Sequence, residues 1–107
     1  MENNVKNLFE LAKEKHYSGA IKLVHTVQSK DASFDELVQL HKHGGSYYER
    51  NLARRIALKN FPDSLNLEIL CEFEQSGDSE VREMCLKLIK AKDKDLYFLK
   101  KFRRGGI

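Results

Sequence analysis

Apolar side chains along this chain return every three or four positions, the period that lines up one face of an α-helix. Val5, Leu8, Phe9 and Ala12 set the first such face, and Tyr17-Ser18-Gly19 interrupts it. Ala20, Leu23, Val24 and Val27 set a second. Alternation of period two, the mark of a half-buried strand, is nearly absent. Start and stop signals then come in regular order. Ser33 with Glu36 has the form of a capping box, and Phe34, Leu37, Val38 and His41 follow on one face. Gly44-Gly45 is expected to stop that helix, because glycine enters the left-handed region without penalty. Ser46 with Glu49 has the form of a second box, opening a helix that turns Leu52, Ala53, Ile56 and Ala57 inward. Phe61-Pro62-Asp63 ends it, since the residue before a proline is pushed out of the helical region. Leu65, Ile69, Leu70 and Phe73 mark the next helix, which Ser76-Gly77 closes. Asp78 caps one that carries Val81, Met84, Cys85, Leu88 and Ile89 inside. Asp93 or Asp95 opens a last short helix with Leu96, Leu99 and Phe102. The predicted fold is all-α, with six to seven helices in a single domain over residues 1–107.

The pattern also repeats. A shift of 32 residues lays Glu36-Leu37-Val38 on Glu68-Ile69-Leu70, Gly45-Ser46 on Gly77-Asp78, and Arg50 on Arg82. Leu52-Ala53 falls on Met84-Cys85, and Ile56 on Leu88. Each unit, about 33–61 and 64–92, is a helix, a glycine turn and a capped second helix with an Arg near its start. In this respect the segment 33–91 resembles a pair of HEAT or armadillo-like helical repeats. Residues 77–88, running Gly77-Asp78 through Val81-Arg82 to Cys85 and Leu88, follow the Asp…Val-Arg…Ala…Leu pattern of HEAT second helices more closely than the first unit does. The first unit departs with Ser46 for the Asp and Glu49 for the Val. The resemblance implies antiparallel hairpins stacked to offer a continuous surface to a partner, without naming the partner.

Composition narrows the function classes. A chain of 107 residues buries roughly two thirds of its unfolded surface, enough for a core without staples. One proline and six glycines exclude disordered and collagenous chains, and two cysteines are too few for a disulfide scaffold. No apolar run exceeds four residues, so neither a membrane span nor a signal peptide is expected, and the predicted location is the cytoplasm.

The chemistry-bearing residues point away from catalysis. His41-Lys42-His43 beside Gly44-Gly45 has the residue types of an acid/base site for phosphodiesters. His41, however, stands at a core-facing position, and His43 lies in a last turn, where a cation favours the helix dipole. Cys71 and Cys85, fourteen apart, lack zinc-ligand spacing and read as small buried hydrophobes. No phosphate loop, nucleophile elbow or paired-carboxylate motif occurs. No enzyme activity, metal or cofactor is expected.

Binding is the better prospect. At about 100° per residue, Tyr47, Tyr48, Asn51, Arg54, Arg55, Leu58 and Lys59 share the arc of the 46–60 helix that lies outside the apolar stripe. Tyr and Arg are the types enriched among interface hot spots. Charge is segregated as well. Residues 1–85 carry eleven basic and fourteen acidic side chains, a net of −3, whereas 86–107 carry eight and two, a net of +6. Asp63 to Glu83 holds seven acids and one Arg, with Glu68 and Glu72 one turn apart. The expected function is therefore non-catalytic binding of another protein, through the Tyr/Arg face or the Glu68/Glu72 face. In size and manner the chain is similar to small bacterial immunity proteins and antitoxins, which neutralise a toxin such as a nuclease by occluding it. The alternative is a nucleic-acid-binding accessory protein that would use Arg54, Arg55, Lys100, Lys101, Arg103 and Arg104, the last four in the basic tail 100–107, on phosphates. The modest charge of +3 and the acidic middle weigh against it.

Overall fold

A helix leaves its first amides and last carbonyls unpaired, so its ends fall where the sequence supplies partners for them. A computed structural model describes residues 1–13 and 16–104, with side chains to residue 102. The described residues form seven α-helices and no strand. They are α1 (Asn3–Lys13), α2 (Tyr17–Lys22), α3 (Phe34–His43), α4 (Tyr47–Asn60), α5 (Leu67–Ser76), α6 (Ser79–Lys92) and α7 (Lys94–Arg104). Two 3₁₀ turns, Val24–Thr26 and Pro62–Ser64, lie between them. None of these helices is long and apolar enough to cross a membrane. The all-α architecture is as predicted.

The caps follow the sequence with two differences. At α3 both limbs of the box form: Ser33 Oγ accepts from the Glu36 amide at 3.1 Å, and Glu36 Oε1 accepts from the Ser33 amide at 3.0 Å. At α4 only the first limb forms. Ser46 Oγ accepts from the Glu49 amide, while the Glu49 carboxylate takes the Ser46 hydroxyl instead of its amide. Asp78 caps α6, and Asp93, not Asp95, caps α7. Asn66 caps α5, a signal the sequence reading passed over. The terminating glycines differ too. Gly44 (φ −56°, ψ 149°) and Gly77 (φ −81°, ψ 168°) are extended, not left-handed. They are glycines because the chain passes too close for a Cβ. One on Gly44 would lie 2.7 Å from the Leu40 carbonyl oxygen, and one on Gly77 would lie 2.3 Å from Val81 Cγ1.

The chain divides into two compact units, Met1–Ser64 and Leu65–Ile107. In the first, α3 and α4 make a hairpin, and α1 and α2 also contact α4. Val5, Leu8, Phe9 and Ala12 of α1 are buried as the periodicity predicts, as are Leu52, Ala53, Ile56 and Ala57 of α4. On the second stripe only Ala20 and Val27 go inside, and Leu23 is exposed. In the second unit, α5 and α6 make a hairpin and α7 packs on α6. Leu65, Leu70, Phe73, Val81, Cys85 and Ile89 are buried, whereas Cys71 is half-buried. On α7 the expected stripe is overturned, because Leu99 and Phe102 point outward and Lys100 goes in.

The two hairpins match in length, ten residues in the first helix and fourteen in the second. Their register differs from a uniform shift of 32. The caps Ser33 and Asn66, the buried Leu37 and Leu70, and the stops Gly44 and Gly77 are all 33 apart. Ser46 and Asp78 are 32 apart. The 44–46 turn holds one residue more than the 77–78 turn, which absorbs the difference.

Candidate functional site: a tyrosine patch over a buried polar network

Helix α4 is buried over the whole run from Asn51 to Leu58. Its polar side is therefore not the free face that helical geometry alone implied. Asn51, Arg54 and Arg55 are 0, 3 and 7% exposed. Three long polar side chains can be buried in this way only if their donors find acceptors, and the neighbouring helices supply these.

From α3, His41 presents Nδ1 to Arg54 Nε at 2.8 Å. A guanidinium only donates, so this nitrogen is the acceptor and carries no proton. Arg54 Nη1 also donates to Asn51 Oδ1 at 3.1 Å. From α2, the Tyr17 hydroxyl accepts from Asn51 Nδ2 and, at 3.0 Å, from Arg55 Nε. One continuous network thus ties α2, α3 and α4 together. Lys59 adds a second tie, donating from Nζ to the carbonyls of His25 at 3.1 Å and Val27 at 2.8 Å.

Above this network lie three tyrosines. Tyr47 and Tyr48 open α4 and are 40 and 44% exposed. Their ring centroids are 5.8 Å apart, and Tyr48 lies 5.3 Å from Tyr17. The Arg54 guanidinium sits 6.0 Å from the Tyr47 ring, and that of Arg55 sits 5.9 Å from the Tyr17 ring. Aromatic rings and cations attract through the ring quadrupole, so Arg54 braces the exposed Tyr47, and Arg55 braces the half-buried Tyr17 on which Tyr48 packs.

The predicted site residues therefore separate. Tyr47 and Tyr48 are surface groups, Arg54 is buried beside the Tyr47 ring, Asn51 and Arg55 are buried on Tyr17, and Lys59 is a helix–turn staple. The nucleic-acid alternative loses Arg54 and Arg55 to the interior, and Lys100 to a buried ion pair with Glu74 at 2.9 Å. Of its other residues Lys101 is exposed, and the side chains of Arg103 and Arg104 lie outside the described residues. Glu68 is exposed and Glu72 half-buried. His41 is buried and turned inward on Arg54, while His43 is exposed. Among the described residues no cluster of three or more His, Cys, Asp or Glu could hold a metal ion.

The sequence reading missed Tyr17, because it fell in a segment read as an interruption. An open groove of about 600 Å³ runs along α1 and α3, with Phe9 and Leu40 in its lining and Lys6, Glu10 and Asp35 also on it. At its edge Glu36 accepts from the Met1 ammonium at 2.9 Å. The Ser33 amide, the Met1 ammonium and the Ser33 hydroxyl together hold the Glu36 carboxyl down at about 2. Comparison with protein-family models, curated proteins and solved structures finds no match.

Proposed function

We propose that the protein is a non-catalytic binding module whose partner is another protein, contacted through the tyrosine patch on α4. One observation supports this reading: two adjacent, partly exposed tyrosines rest on buried groups, Tyr47 beside the Arg54 guanidinium and Tyr48 against Tyr17, whose ring lies beside Arg55. Tyrosine buries a large area on binding and still hydrogen-bonds at its tip. Rings already fixed in place lose little freedom when a partner covers them, which favours affinity. In its finer form, the proposal is a cytoplasmic bacterial immunity protein or antitoxin that occludes a toxin such as a nuclease. Its acidic surface, with Glu68, Glu80 and Glu83 exposed in the second unit, suits a basic partner. Matched helix lengths and caps in the two hairpins support a HEAT-like repeat as its framework.

The test is a capture from the source cell, followed by affinity measurement with Tyr47→Ala and Tyr48→Ala. Each substitution is expected to cost about 2 kcal/mol or more of binding, with the helical spectrum unchanged. Rescue of growth on co-expression with a candidate toxin tests the finer form. A duplex affinity tighter than micromolar at physiological salt, indifferent to both tyrosines, would overturn the proposal.

A further inference from the structure

On α7 inside and outside are exchanged. Lys100 is buried against Glu74, while Phe98, Leu99 and Phe102 are 50, 59 and 66% exposed. The ion pair fixes the roll of the helix, as does Tyr97, whose ring lies 5.2 Å from Lys90 Nζ of α6. With Leu96, Tyr97 and Lys100 on the inward arc, the three large apolar side chains emerge on the opposite one, at about 100° per residue. The exposed Lys94 and Lys101 run along one edge of that apolar stripe.

We propose that this stripe is a docking surface for an acidic amphipathic helix of a partner protein. Three observations converge on that occupant. Contiguous large apolar groups rimmed by charge mark interaction sites, not ordinary solvated surface. Phe98, Leu99 and Phe102 sit at i, i+1 and i+4, within about 6 Å of helix axis, which suits the apolar anchors of a crossing helix. The described charge beside them is basic on one edge, where the exposed Lys94 and Lys101 stand, against the single acid Asp95 within the arc. A lipid surface fits less well, because the exposed Asp95 stands in the middle of the apolar arc and would be carried into the acyl layer. The surface belongs to the second unit and does not rest on the tyrosine patch.

The probe is a labelled synthetic amphipathic helix with leucines at i, i+3, i+4 and i+7 and glutamates on both flanks. Its counterpart carries lysine for each glutamate. By fluorescence anisotropy on the full chain, the acidic peptide should bind at least tenfold more tightly than the basic one. Phe98→Ser with Phe102→Ser should abolish binding, and Lys94→Glu with Lys101→Glu should weaken it at least tenfold. Tyr47→Ala should leave it unchanged, so that failure here and failure of the tyrosine patch are told apart. All four α7 positions are exposed, and circular dichroism checks that the helices persist. Equal binding of both peptides, or of neither, overturns the proposal. So does binding to phosphatidylglycerol vesicles in place of the peptide, or self-association of the chain that the Phe98/Phe102 substitutions remove.

Discussion

His41 in the first unit and Glu74 in the second occupy the same place, three residues before the glycine that stops the first helix of each hairpin. Both are buried and both are polar, 6 and 2% exposed. Their solutions differ. His41 is answered from within its hairpin, by Arg54 of α4, and the contact extends through Asn51 to Tyr17. Glu74 accepts from Lys100 of α7, a helix outside its hairpin. The reason lies in what covers each second helix. Helix α4 is contacted by α1 and α2 as well as α3, so Asn51, Arg54 and Arg55 go inside. Their counterparts 32 residues on are Glu83, Leu86 and Lys87, of which Glu83 and Lys87 are exposed. Similar hairpins therefore bury different chemistry according to the helix laid against them.

The largest effect is expected at the ion pair of the second unit. Lys100→Met takes the ammonium away from the buried Glu74 carboxylate, which should cost about 3–5 kcal/mol in urea unfolding. Adding Glu74→Leu removes the buried carboxylate as well and should recover most of that loss. If the single substitution proves as mild as the double, the pair is not what seats α7.

A smaller effect is expected in the network of the first unit. Asn51→Leu withdraws a partner from both the Tyr17 hydroxyl and Arg54, at a cost of about 1–3 kcal/mol. Near-ultraviolet dichroism of the tyrosines should change with it. Glu83→Leu, at the matching position on α6, should stay within about 0.5 kcal/mol of the native chain. Equal costs would erase the contrast between the two second helices.

The smallest effect sharpens the comparison at the caps. Ser33 and Asn66 are equivalent caps, but only Ser33 is joined by a carboxylate, that of Glu36. The folded pKa of Glu36 is about 2 against an ordinary 4.5, so its contribution is fully present above about 4.5 and is lost as pH falls towards 2. Glu36→Gln should therefore lower the unfolding midpoint at neutral pH, with the gap closing across that acid range. A gap that does not change with pH would mean that the charged form of Glu36 contributes nothing.

Much of this architecture is written locally. Helix starts follow Ser33, Ser46, Asp78 and Asp93 because a short polar side chain before a helix reaches the amide three residues on, whatever the rest of the chain does. Two glycine stops are legible for a related reason, although close approach and not a left-handed turn accounts for Gly44 and Gly77. The buried apolar stripes of α1 and α4 follow from period alone. The site was legible only in part. Helical geometry placed Tyr47, Tyr48, Asn51, Arg54 and Arg55 outside the apolar stripe of one helix, but not in shared solvent.

Two inversions escaped the sequence for one physical reason. Period separates an apolar face from a polar one, but it cannot say whether a second helix covers the polar face and brings acceptors for it. Where α2 and α3 bring Tyr17 and His41, two arginines go inside. Where Glu74 waits at the end of α5, a lysine of α7 turns inward and the apolar side chains beside it turn out. Local chemistry determined which helices form and where they stop; only the tertiary pairing of buried donors with acceptors decided which faces of α4 and α7 meet the solvent.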